Sequence, residues 1–164
     1  MECEVKILFS KRKLYNDIVS GEVYYFHLHS DKICNDLMEM GLLSDKSLTI
    51  TFPLIPDKYV RHFIRGCWDG DGSVYLENTK YKKRINASFV SGSGSFVETI
   101  VGVLTKEGLN RVKIYKSIRS SNPSYYFKIR TASECKKLFN YLYDGVSPDQ
   151  YLLRKYDIFY NYFF

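Results

Sequence analysis

What this 164-residue sequence lacks narrows the field first. Its four cysteines, Cys3, Cys34, Cys67 and Cys135, lie far apart. None forms a CxxC pair, so a zinc site is disfavoured and a disulfide framework has no support. Buried free thiols in a reducing, intracellular compartment are expected, such as a bacterial or phage cytoplasm or an organelle. No apolar run approaches the length needed to span a bilayer. The N-terminal "MECEVKILFSKRK" has neither a long apolar run nor a small-residue cleavage site, so no signal peptide and no membrane partner are expected.

What is present points elsewhere. Apolar residues make up 45% of the chain, enough for a packed core and too much for a disordered tail. Aromatics are dense, with fifteen Tyr and eleven Phe. The net charge is +6, which favours a polyanionic partner.

Patterning predicts two strands, Cys3–Lys11 and Glu22–Ser30, then a helix in "SDKICNDLMEMGLL" that Ser30 can cap. "KSLTITFPLIP" reads as extended. In "PDKYVRHFIRGCWDG", Ile55, Tyr59, Val60, Phe63, Ile64, Cys67 and Trp68 form one apolar stripe, with Pro56 and Asp57 suited to a helix start. The rest reads strand Ser73–Thr79, strand Arg84–Ser91, helix Ser95–Lys106, strand Arg111–Ile118, strand Ser124–Arg130, helix Ala132–Tyr143 and a C-terminal helix. Capping boxes are expected at Ser95/Glu98 and Thr131/Glu134. The first third also echoes the last. "VKILFSKRK…YYFHLHSDKICNDL" matches "VKIYKSIRS…YYFKIRTASECKKL", with Cys34 on Cys135 and Leu37 on Leu138.

The stretch "DGDG" (Asp69–Gly72) admits four readings. A plain helix C-cap with glycines at positive φ is the simplest. An EF-hand fails because Val74 stands at the turn glycine and Lys80 at the bidentate Glu. A phosphate loop fails because no GK[ST] follows. The fourth treats Gly66 as a point of close approach between two such helices, through Phe63, Gly66 and Cys67. Paired about a two-fold axis, they would set Asp71 beside its symmetry mate, and two adjacent carboxylates call for a divalent cation. Such a cation could activate water against a phosphodiester.

"IRGCWDGDG" (Ile64–Gly72) resembles the LAGLIDADG motif of homing endonucleases, and Gly41–Val74 is similar to the linker and second motif of two-repeat members. The resemblance implies an α+β fold: an αββαββα saddle with a four-stranded antiparallel sheet, residues 54–164, preceded by a partial ββα repeat, residues 1–53. It implies a homing-type, sequence-specific double-strand DNA endonuclease from an intron or mobile element, with Mg²⁺ as cofactor. Asp71 would be catalytic and metal-binding, with the Gly70 carbonyl beside it. Arg154 and Lys155 lie where the family places a basic residue near the scissile phosphate, and Ser93 near a position that orders water. Asp69 is expected to close the helix end.

The sheet would lie along the major groove of double-stranded DNA, where base edges are distinguishable. By alternation, Tyr75, Glu77, Thr79, Arg84, Asn86, Ser88, Arg111, Lys113, Tyr115, Ser117, Arg119, Tyr126, Lys128 and Arg130 should face DNA. Val74, Leu76, Ile85, Ala87, Phe89, Val112 and Ile114 should face the helices. Two departures stand out. Arg65 replaces a small motif residue and could snorkel out of the helix interface or loosen it. The motif also occurs once, where the mechanism needs two, so a homodimer or a piece of a two-motif protein is implied. The first third would then need a partner for its sheet edge. The alternative on the same fold is a non-cleaving DNA-binding regulator or an RNA maturase.

Overall fold

The computed structural model describes residues 6–13, 19–41, 48–118 and 122–164. The chain divides into two compact units, Met1–Glu39 and Met40–Phe164.

In the first unit, β1 (Leu8–Lys13) and β2 (Val19–Tyr25) pair antiparallel and lead into α1 (Asp31–Glu39). Ser30 Oγ accepts from Ile33 N at 3.3 Å, the expected cap. Residues 3–5 of the predicted first strand lie outside the described residues. The second strand ends at Tyr25, short of the predicted Ser30.

The second unit follows the expected order: α2 (Asp57–Asp71), β3 (Ser73–Asn78), β4 (Lys83–Ser91), α3 (Gly94–Lys106), β5 (Lys113–Ser117), β6 (Ser124–Ile129), α4 (Ala132–Tyr143) and α5 (Leu153–Phe163). The four strands form one antiparallel sheet in the order β3-β4-β6-β5. The helices cover one face. Ile64 and Trp68 of α2, Phe96, Val97 and Ile100 of α3, Leu138 and Leu142 of α4 and Phe159 of α5 enclose Ile85, Ala87, Phe89, Phe127 and Ile129 of the sheet. Ile50 and Phe52 pack against this core, with Phe52 edge-on to Phe63 at 5.1 Å.

Three local expectations need correction. Leu76 and Ile114 are exposed rather than covered by helices. Both sit on the edge strands β3 and β5, which the helices cover only in part: Val74 of β3 is buried and Leu76 is not. Helix α3 is capped by Ser93, whose Oγ accepts from Phe96 N, not by a box at Ser95. Half of the box at Thr131 forms: its hydroxyl accepts from Glu134 N at 3.4 Å. The Glu134 carboxylate instead accepts from Arg111 N and Lys137 Nζ.

Glu134 supplies a pH-dependent element. Burial pushes its pKa up, but hydrogen bonds from Lys137 and from backbone N–H groups outweigh burial and leave it lowered. A lowered folded-state pKa contributes stability above the unfolded value, lost as pH falls through the folded value. Glu134→Gln should therefore cost about 1–2 kcal/mol at neutral pH. The deficit should shrink below the ordinary carboxylate range, as chemical denaturation at several pH values would show.

Candidate functional site

The end of α2 is built by close approach. Ile64 and Trp68, four residues apart, share its buried face. The Gly72 N–H donates to Trp68 O at 2.8 Å and ends the helix. A Cβ at Gly72 would stand 2.5 Å from Trp68 Cδ2 and 2.6 Å from Trp68 O. Its φ of −71° suits any residue, so the requirement is space, not the positive φ of an ordinary glycine cap. Trp68 is buried to 1% exposure and has nowhere to move. Gly72→Ala is expected to lower stability by about 1–3 kcal/mol, measured by urea unfolding, and Gly70→Ala much less, since nothing lies within 4 Å of a Cβ there.

The two aspartates differ because residues two apart on a helix point about 200° apart around its axis. Asp69 turns into its own chain. Its Oδ2 accepts from Leu152 N at 3.1 Å and its Oδ1 from Tyr143 OH at 3.4 Å. Burial, then the Asp69 charge, push the Tyr143 phenol up from its ordinary pKa. Asp69 thus ties α2 to the segment entering α5 rather than capping its own helix. Asp71 is the last residue of α2 and is exposed.

Lys155 closes the helix end instead. It is 3% exposed. Its Nζ donates to Trp68 O at 2.7 Å, to Asp69 O at 2.8 Å and to Gly72 O. A cation here complements the negative end of the helix dipole and satisfies carbonyls that the last turn leaves open. Desolvation lowers the Lys155 pKa, the neighbouring Arg154 adds to this, and Asp69 and Asp71 oppose it. The Arg154 side chain is exposed. Ser93 is buried, spent on its capping bond and on a contact with Ser95 Oγ at 3.2 Å.

Helix α2 has two working faces. Arg61 and Arg65, four apart, turn toward α4. Arg61 donates to Tyr141 O, Asn140 O and Asp144 O, and Arg65 to Gln150 O at 3.1 Å and Leu142 O at 3.5 Å. The two guanidinium groups thereby cap the end of α4. Arg65 is buried within its own chain, which answers whether it loosens or snorkels from a helix pairing. Elsewhere around α2, Gly66 and Gly70 are exposed, each with open space where a Cβ would stand. Phe63 and Cys67 are half-buried. Burial, then the nearby Asp71, raise the Cys67 thiol to about 11, which keeps it protonated and inert.

Away from the helices, the sheet presents a basic and aromatic face. Across β3 and β4, Tyr75 pairs with Asn86 and Glu77 with Arg84. Across β4, β6 and β5, Ser88, Lys128 and Lys113 form one row, and Val90, Tyr126 and Tyr115 the next. Tyr115 and Tyr126 stack at 5.4 Å, with Lys128 Nζ 5.4 Å from the Tyr126 ring. Asn86 lies on this face but is buried, donating to Glu77 Oε2 at 3.3 Å. Thr79 closes the β3–β4 turn through Lys82, its hydroxyl 2.6 Å from that carbonyl. Arg111, Lys113, Tyr115, Lys128 and Arg130 line a pocket of about 150 Å³. Ser88, Ser117, Tyr126 and Lys128 line a broader groove of about 610 Å³. Arg119 lies outside the described residues.

For a cation, the available donors are the exposed Asp71 carboxylate and the carbonyls of Gly70 and Asp71. Among the described residues these two carbonyls accept no hydrogen bond. The set is all oxygen, which fits a hard divalent ion. Among the described residues, no three His, Cys, Asp or Glu side chains converge on a metal position within one chain.

The family model for the LAGLIDADG-like domain matches residues 58–143. The group I intron-encoded homing endonuclease I-CeuI, complexed with DNA, is similar over 80% of this chain and 67% of its own, at 12% identity and a TM-score of 0.50. The archaeal intron-encoded homing endonuclease I-Vdi141I, complexed with DNA, aligns over 63% of this chain and 64% of its own, at 19% identity and a TM-score of 0.47. The LAGLIDADG meganuclease I-AabMI, bound to uncleaved DNA, aligns over 55% and 32%, at 22% identity and a TM-score of 0.37. The chain thus spans less than two thirds of the length of the last two. The likeness to I-CeuI concerns the fold. No curated protein sequence matches the chain.

Proposed function

The chain belongs to the LAGLIDADG homing endonuclease family, and on that premise we propose that it is a sequence-specific, Mg²⁺-dependent double-strand DNA endonuclease acting as a homodimer. The observation that carries this reading is the exposed Asp71 at the C-terminus of a helix whose Gly66 and Gly70 are open to solvent. Pairing of α2 with its mate along Gly66, flanked by Phe63 and Cys67, would bring two Asp71 carboxylates together. The missing donors of a cation site would then come from the second subunit and from DNA phosphate. The bound ion would supply water activation and stabilise the leaving oxygen.

The remaining residues take supporting roles in this reading. Gly70 offers its carbonyl to the ion. Arg154 is exposed and can reach a phosphate, while Lys155 holds the turn that carries Asp71. Ser93 starts α3 beside the sheet. Tyr75, Glu77, Arg84, Lys113, Tyr115, Tyr126 and Lys128 present hydrogen-bonding groups to a major groove, and Arg111 and Arg130 reach the backbone. Thr79, Ser88 and Ser117 complete the proposed DNA face, with the buried Asn86 holding Glu77 in place behind it.

Gly66→Leu separates pairing from folding. A side chain there meets nothing in the monomer, and removing a mid-helix glycine should stabilise it by up to about 1 kcal/mol. The same side chain would obstruct helix pairing, so the variant should melt no lower than wild type yet run at a smaller mass than wild type in light scattering and fail to cleave. The function itself is tested by incubating the protein with a randomised duplex library. Cleavage in Mg²⁺ and binding without cleavage in Ca²⁺ are expected. Binding without cleavage in every divalent metal would overturn the enzyme reading in favour of a DNA-binding regulator or an RNA maturase.

A further inference from the structure

The chain contains one structural module three times. Each is a hairpin, then a hydroxyl cap four residues after a phenylalanine, then a helix. In β3–β4–α3 the pair is Phe89 and Ser93, in β5–β6–α4 Phe127 and Thr131, and in β1–β2–α1 Phe26 and Ser30. Each cap accepts from the backbone N–H three residues on, those of Phe96, Glu134 and Ile33. Strand register repeats as well. Leu8 opposite Tyr25, Phe9 opposite Tyr24 and Ser10 opposite Val23 reproduce Tyr115 opposite Tyr126, Lys116 opposite Tyr125 and Ser117 opposite Ser124.

Two of the modules cover each other. They meet antiparallel through their second strands, β4 and β6, with Phe89 directly opposite Phe127 and the rings stacked at 5.9 Å. Phe89 and Phe127 are equivalent positions of the two modules, so the contact is a local two-fold. The third module has the same apolar face, and its described residues leave that face exposed. Phe127 is 0% exposed, whereas its equivalent Phe26 is 57% exposed; Leu138 is 0% exposed and Leu37 is 40% exposed. The residues that β4 bridges in the complete pair, Tyr125 to Ile129, correspond to Tyr24 to Leu28, and β2 has ended by the last three of these, Phe26 to Leu28. Among the described residues, no strand pairs with the second edge of β2. An uncovered apolar face beside an open strand edge is an association site.

We propose that the β1–β2–α1 module pairs with the same module of a second copy of this chain. The two β2 strands run antiparallel, Phe26 faces its symmetry mate, and the sheet order becomes β1-β2-β2-β1. The occupant is another copy because this fold covers such a module with one of its own kind. In a second copy, β3–β4–α3 and β5–β6–α4 already cover each other, and among the described residues β1–β2–α1 is the open module. Identical strands pairing antiparallel give an isologous contact. The inference does not depend on DNA cleavage.

The register makes it testable in the full chain, with Cys3→Ser and Cys34→Ser removing background thiols. Phe26→Cys lies on the axis, within disulfide reach of itself. Tyr24→Cys faces position 28 of the mate, and its own mate lies roughly 14 Å away along the strands, beyond the ~7 Å limit. Mild oxidation should give a covalent dimer of Phe26→Cys at ten times or more the yield of Tyr24→Cys. Equal yields, or no dimer from Phe26→Cys, would overturn the proposal. In the unsubstituted chain, amide exchange at Phe26–Leu28 should slow as protein concentration rises. Exchange that is fast at all concentrations, or slow independent of concentration, would overturn it too.

Discussion

Asp71→Asn is expected to abolish measurable DNA cleavage while leaving DNA binding in Ca²⁺ essentially intact. The substitution keeps the side chain's size and removes its charge. Asp71 is exposed at the helix end and receives no hydrogen bond from the fold among the described residues, so stability should be unchanged. Loss of one preorganised charge-stabilising group costs roughly 10²–10³ in rate. In a site with two-fold symmetry both carboxylates are lost together, so the drop should reach or exceed the upper end of that range. Asp69→Asn should behave oppositely. Its carboxylate bonds Leu152 N and Tyr143 OH, so its variant should lose stability first and activity only as a consequence. Single-turnover cleavage beside thermal melts would separate the two.

The second large effect is on the fold. Lys155→Met should destabilise the second unit by about 1–3 kcal/mol, the cost of leaving buried carbonyls without their donor. The methylene stem is matched, so the loss comes from the ammonium group, and carbonyls of Trp68, Asp69 and Gly72 are left without it. A domain of this size commonly has only 5–15 kcal/mol in total, so the variant should unfold at lower urea. Lys155→Arg should not rescue it, because a planar fork cannot converge on three carbonyls as an ammonium does. Equal urea midpoints for wild type and Lys155→Met would show that the three bonds contribute nothing.

The sequence carried the parts of this account that are local. The stripe of Ile64 and Trp68, the Pro56–Asp57 start and the glycines after Trp68 place α2 and its end, and with them Asp71. Strand alternation places Ile85, Ala87 and Phe89 inward. Contacts between distant segments were not legible. Lys155 reaches carbonyls more than eighty residues earlier, and Arg65 caps a helix whose end is equally remote. A motif comparison can only register Arg65 as out of place, whereas the fold makes it a brace. Leu76 and Ile114 depart from the alternation pattern for a related reason: alternation gives the face of a residue but not whether its strand is at an edge. Ser95, with Glu98 three residues on, fits the capping-box pattern and Ser93, followed by Phe96, does not, yet the chain path out of β4 makes Ser93 the cap.

The central claim is that one motif per chain suffices because two chains meet on one DNA duplex. Native mass measurement of the protein with a target duplex in Ca²⁺ tests this most directly. Two chains per duplex are predicted, falling to fewer with Gly66→Leu. One wild-type chain per duplex, on a target that the same protein cleaves in Mg²⁺, would contradict the paired Asp71 site.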